Sequence, residues 1–93
     1  MLGRDRYDFK GLTASAAWAG GAVTNGTQEA QDITVSGAAV GDYAQVSCSF
    51  DVVDLQIEAH VTAANTVTVL VRNGTGGDVT PSGTLYVKVE KRA

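Results

Sequence analysis

Apolar and polar residues alternate one by one in five separate stretches of this 93-residue chain, a period-two pattern that belongs to β-strands with one buried face. Ile33 and Val35 alternate with Asp32, Thr34 and Ser36, and Gly37 and Gly41 then bracket a turn. Residues 43–50 set Ala44, Val46, Cys48 and Phe50 against Tyr43, Gln45, Ser47 and Ser49, so Cys48 reads as a small core residue. Residues 55–62 put Leu55, Ile57, Ala59 and Val61 opposite Gln56, Glu58, His60 and Thr62. Val67, Val69 and Val71 follow, opposed to Thr66, Thr68 and Leu70, and the last run sets Leu85, Val87 and Val89 against Tyr86, Lys88 and Glu90. A sixth stretch, Thr13 to Gly20, is alanine-rich, yet Leu12, Ala14, Ala16 and Trp18 alternate with Thr13, Ser15, Ala17 and Ala19, and it too reads as a strand. Thirteen Val and ten Thr agree with this, because β-branched side chains lose rotamers on a helix and pack well on a pleat.

The connections are as informative as the strands. Ala63-Ala64-Asn65 is short enough for a hairpin, with Asn65 able to take a positive φ. Residues 73–83 are rich in Gly, Thr and Asp, hold the single proline, Pro81, and read as a loop. The expected fold is all-β: a small antiparallel β-sandwich or jelly-roll-like domain of about six strands over residues 12–93, with an extended N-terminal arm over residues 1–11.

A body this small needs support. At 9.6 kDa, surface scaling gives roughly 5,000 Å² folded against roughly 14,000 Å² unfolded, so about 60–65% of the surface can be buried in a monomer. Disulfides, a structural metal and association are the usual remedies, and a single Cys48 with a single His60 points to association.

Charge divides the chain further. Residues 12–87 hold Arg72 against seven carboxylates, a net of −6, while the two ends carry the other six cations. The segment MLGRDRYDFKG interleaves Arg4, Arg6 and Lys10 with Tyr7, Phe9 and two aspartates; it has no period of its own but can lie along another surface, where Tyr and Arg are favoured contacts. Arg4, Arg6, Tyr7, Phe9 and Lys10 are therefore the candidate contact residues. The charged start lacks the apolar run of a signal peptide, and no run of eighteen apolar residues occurs, so the reading is a protein made in a cytoplasm, with no membrane partner.

Catalytic chemistry finds no foothold in the pattern. His60 lies on the polar side of a strand without clustered ligands and reads as a surface or interface imidazole. Asp51 and Asp54 flank a turn and read as solubilising residues; with Asp78 they match no calcium-loop spacing. Asn25-Gly26-Thr27 and Asn73-Gly74-Thr75 fit the glycosylation pattern but read as turns. Gly74-Thr75-Gly76-Gly77 lacks the lysine and helix of a phosphate loop, and an acidic body offers no nucleic-acid face. No cofactor, metal ligand or catalytic residue is expected.

Residues 30–92 carry a resemblance. Ile33-Thr34-Val35-Ser36-Gly37-Ala38-Ala39-Val40-Gly41-Asp42, then Val61-Thr62-Ala63-Ala64-Asn65-Thr66-Val67-Thr68-Val69, then Arg72-Asn73 and a loop ending Pro81-Ser82-Gly83-Thr84-Leu85-Tyr86-Val87, resemble a module of small virion proteins of tailed bacteriophages, most nearly a capsid decoration (cement) protein. The resemblance covers about two thirds of the chain and omits residues 1–11 and 49–54. It implies a homotrimer on the outer surface of the phage head, made in the host cytoplasm and partnered by the major capsid protein, with Arg4, Arg6, Tyr7, Phe9 and Lys10 contacting that protein or a neighbouring copy. Tail or fibre proteins use similar modules, which implies an alternative: a tail or head-fibre module that binds host-surface carbohydrate through Trp18, Tyr43 or Tyr86.

Overall fold

The computed structural model describes residues 11–52 and 54–92. They form six strands and no helix: β1 Gly11–Ala17, β2 Gln28–Thr34, β3 Tyr43–Cys48, β4 Gln56–Ala63, β5 Thr66–Arg72 and β6 Thr84–Glu90. Two three-stranded antiparallel sheets, ordered β1-β6-β3 and β2-β5-β4, pack together as the expected small β-sandwich. Consecutive strands change sheet at every step except the β4–β5 hairpin. Gly11, assigned to the arm from sequence, is the first residue of β1 and pairs with Glu90; the rest of the arm, with Arg4, Arg6, Tyr7, Phe9 and Lys10, lies outside the described residues.

The core sits between the two centre strands. Val67, Val69 and Val71 of β5 and Leu85, Val87 and Val89 of β6 are each at most 2% exposed, so each contributes within the about 1.5–3 kcal/mol that full burial of an aliphatic side chain supplies, the valines toward the lower figure because they are smaller. The outer strands contribute less: Leu12, Ala14 and Ala16 of β1 and Ala44, Val46 and Cys48 of β3 are only partly buried against the core. Cys48 thus faces inward, as its alternation predicts, but near the open rim of the sandwich rather than at its centre. Trp18 closes one end of the core, its Nε1 donating to the Gly21 carbonyl at 2.8 Å. Its ring lies so close over Gly20 that a Cβ there would overlap the indole, so a residue with a side chain cannot occupy that position without moving it.

β2 begins earlier than its hydrophobic alternation indicates, and the reason is chemical. Register with β5 places Glu29 and Gln31 in the same inward phase as Ile33, and neither is apolar. Gln31 reaches across to the other sheet, accepting from the Ala19 amide at 2.8 Å and donating to the Ala17 carbonyl at 3.0 Å. Its amide side chain stands in for a neighbouring peptide and ties the β2 edge to the end of β1.

Amide side chains fasten the two ends of the sandwich as well. Asn65, at φ 63°, turns the β4–β5 hairpin in the left-handed conformation foreseen for it, and its Oδ1 accepts from the Gly37 amide at 2.8 Å. At the opposite end Asn73 is 1% exposed. Its Nδ2 donates to the carbonyls of Val23 and Gly77 at 2.8 and 2.7 Å, and its Oδ1 accepts from the Thr75 amide and hydroxyl at 2.9 and 2.8 Å. The 73–83 connection is thereby bound to residues 23–27, with a further bridge between Val23 and Val79.

Both asparagines of the glycosylation-like motifs belong to this knot. Asn73 has both amide hydrogens engaged in the interior, and Asn25 accepts from the Gly76 amide at 3.0 Å, which supports the turn reading of both. Asn73→Ala should destabilise the protein by about 2–4 kcal/mol, since four hydrogen bonds centred on one buried side chain are lost together, and Asn73→Asp should cost at least as much at neutral pH because a carboxylate cannot donate. Gln31→Ala, at a rim where water can replace the lost bonds, should cost only about 1 kcal/mol. Urea unfolding of the variants reads both differences.

Candidate interaction surface

The outward faces of the two sheets differ in kind. On β2-β5-β4, Thr68 donates to Asp32 at 2.7 Å and Thr62 lies 2.8 Å from Thr68; with the Thr68 proton directed to the carboxylate, Thr62 is the donor of that second bond. His60 contacts Glu58 at 2.7 Å, both side chains being more than half exposed. Register sets Thr68 directly across from His60, yet its hydroxyl is committed to Asp32 and Thr62 instead of the imidazole. This is a satisfied polar surface, and His60 is the surface imidazole its position suggested.

The outward face of β1-β6-β3 carries aromatic surface. Among the described residues the large exposed hydrophobics are Val40, Tyr43 and Tyr86, at 69%, 61% and 48% exposure. Both tyrosines stand in the outward phase of this one sheet, Tyr86 between Ser15 and Ser47, and Tyr43 beside Glu90. Trp18, the third aromatic weighed as a ligand platform, is buried and drops out of that role.

A groove of about 880 Å³ crosses β1, β6 and β3 and reaches β4. All six outward positions of two adjacent cross-strand rows line it: Thr13, Lys88 and Gln45, then Ser15, Tyr86 and Ser47. Inward-phase Ala14, Ala44, Val46, Ile57 and Ala59 add apolar wall, so the incompletely covered edge of the core opens into it. A smaller hollow lies alongside between β3 and the start of β4, where Cys48, Phe50, Val52 and Leu55 meet. Burial raises the Cys48 thiol pKa, which keeps it protonated and poorly nucleophilic at neutral pH.

The chain ends complete the surface. Because Gly11 pairs with Glu90 and Glu90 with Tyr43, the first described residue stands directly beside the point where Lys91 and Arg92 leave the body. Asp42 holds this corner together: its side chain, 8% exposed, accepts from Lys91 Nζ at 2.6 Å, from the Ala39 amide at 3.0 Å and from the Arg92 amide at 3.3 Å. Lys91 also donates to the Gly37 carbonyl at 3.0 Å. Asp51, Asp54 and Asp78 sit in connections at the far end, with Asp54 at φ 67° and Asp78 accepting from the Asn25 amide at 2.9 Å. That far end is acidic, whereas at the corner Lys91 and Arg92 stand beside Asp42 and Glu90.

Among the described residues no group of three or more His, Cys, Asp or Glu converges as a metal site, and no helix is long and apolar enough to cross a membrane. No protein-family model matches the chain, and no curated protein matches it.

Asp42 has a measurable signature. The Lys91 hydrogen bond, helped by the Ala39 and Arg92 amides, outweighs desolvation and lowers its pKa in the folded protein. A depressed carboxylate pKa contributes stability that is present above the unfolded value, about 3.9 for aspartate, and is lost as pH falls through the lower folded value. Melting temperatures of the wild type should therefore drop more steeply below about pH 4 than those of Asp42→Asn, whose own deficit should be greatest at neutral pH. Parallel acid dependences for the two proteins would sink this account of the corner.

Proposed function

We propose that this protein is a structural virion component, a capsid decoration (cement) protein of a tailed bacteriophage, which binds the outside of the head as a trimer and stabilises contacts between major capsid protein subunits. The observation that carries the reading is the Gly11–Glu90 pairing, which puts the point where basic residues 1–10 enter β1 beside the point where Lys91 and Arg92 leave β6 on an otherwise acidic β-sandwich. The resemblance of residues 30–92 to such modules supports the phage context, and the exposed tyrosine-bearing sheet supplies contact area of the type protein interfaces favour. In this reading the protein works by adhesion and performs no catalysis.

Magnitudes explain why such a protein acts in many copies. Ordering the ten residues before β1 costs about 10–20 kcal/mol of backbone entropy at about 1–2 kcal/mol each. Burying Tyr7 and Phe9, at about 150–250 Å² apiece, returns about 8–12 kcal/mol. The arm alone is therefore a weak ligand. Joined to body contacts and to two other arms in a trimer, it gains from effective concentration without any new contact.

The exposure of Tyr43 and Tyr86 on one sheet also favours the second reading, a tail or head-fibre module that stacks on host-surface carbohydrate. One set of measurements separates the two. On particles of the virus that encodes the chain, electron microscopy should show density for it at three-fold positions of the head, and removal of residues 1–10 should weaken decoration by about tenfold or more, as loss of anchoring aromatics does. Complete decoration by the truncated protein would overturn the arm's role. Glycan binding lost in Tyr43→Ala and Tyr86→Ala, with no density on the head, would replace the first reading with the second.

A further inference from the structure

We infer that the groove across β1, β6 and β3 is the receptor for the N-terminal segment, residues 1–10, of a second copy of this chain, so that arms are exchanged between copies. The inference rests on the proposed function only for its setting; the groove and the segment belong to the chain whatever particle it joins.

The walls of the groove suit an extended peptide. Small hydroxyl side chains, Thr13 and Ser15 on one strand and Ser47 on another, flank Tyr86 and Lys88 on the strand between them. Apolar wall comes from Ala44, Val46 and Ile57, which the protein's own packing leaves only partly buried. An occupant that presents apolar groups on one side and polar groups on the other would cover the second set and leave hydrogen-bonding partners for the first. Residues 6–10 have that pattern: Tyr7 and Phe9 share one parity, and Arg6, Asp8 and Lys10 share the other. Lys88 in the groove and Glu58 at its β4 side offer charges of both signs to a segment that also carries both.

Length and direction favour a second copy over the same chain. Gly11 is already paired as the first residue of β1, at the end of the sheet and beyond the two rows that line the groove. To reach its own groove, the chain would have to reverse direction immediately before Gly11, which already runs antiparallel to β6 as the first residue of β1. A neighbour's segment needs no reversal. Ten extended residues span up to about 33 Å, more than the about 24 Å of a seven-residue strand, which suffices to leave one body and cross the groove of the next.

Directed cross-linking tests the exchange in the purified full-length protein. In a Cys48→Ser background, Phe9→Cys combined with Ser47→Cys should give disulfide-linked dimers and higher species when oxidised glutathione is added. The same Phe9→Cys paired with Thr62→Cys, on the outward face of the other sheet, should give none. Circular dichroism and melting of each variant show that the body is folded. Light scattering supplies a second arm: removal of residues 1–10 should weaken self-association by about tenfold or more. A linkage confined to single chains would show that each arm folds back on its own body, and absence of linkage in folded protein would show that the groove does not receive the arm; either overturns the inference. Failure of the exchange with heads still decorated leaves the decoration reading standing. Exchange in solution with no head binding sinks that reading and keeps this one.

Discussion

The contact between the two centre strands is the interaction on which the rest of the molecule depends. β5 and β6 bring two rows of small branched side chains, mostly valine, together between the sheets, and those side chains are essentially sealed from water. With only three strands per sheet, each centre strand has an edge strand on both sides, and the edges cannot be buried to the same degree. A larger domain would cover them with further strands or helices. Here the shortage of core is expressed as partly exposed alanines, Val46, Cys48 and Ile57 along the rims.

Polar side chains compensate for much of that shortage. Gln31 bridges one open edge, Asn65 clasps the hairpin to the 35–38 turn, Asn73 knots two connections at the far end, and Asp42 fixes the corner where the chain leaves β6. Each answers unpaired peptide groups or the Lys91 cation where the strand ladder stops; Asn65, Asn73 and Asp42 are short side chains with few rotamers to lose, whereas Gln31 gives up more freedom to span the edge. An all-valine core cannot orient loops, because dispersion is non-directional; hydrogen bonds at the ends supply the direction. The groove is one edge these bonds leave open, and its composition sets it apart from the satisfied threonine and carboxylate face of the other sheet.

Much of the fold was legible from alternation because strands with one wet face write their orientation into every second residue. β3, β4, β5 and β6 were readable in this way, and β1 despite its alanines. The start of β2 was not, since Glu29 and Gln31 occupy inward-phase positions without being apolar, and Gln31 serves there by hydrogen bonding rather than burial. Asn65 advertised its backbone conformation, and Thr75 two residues after Asn73 is a readable Asx-turn signal. The burial of Asn73 depends on its distant partner Val23, which no local pattern reveals. The candidate surface was the least legible part: Tyr43 and Tyr86 are visible as outward residues of separate strands, but their common sheet, and the adjacency of Gly11 to Glu90, follow from a strand order that spacing does not encode.

The Gly11–Glu90 pairing has a mechanical consequence. Seven cross-strand pairs join β1 to β6, with their hydrogen bonds perpendicular to the strands. Tension between the arm and the C-terminal tail, which meet at one corner, would peel β1 away one pair at a time, a weak geometry. Tension between the arm and a load carried at the opposite end of the sandwich would act along β1 and strain all seven pairs together. The same seven pairs are thus fragile as a zipper and resistant as a lap joint, and the direction of pull selects between the two.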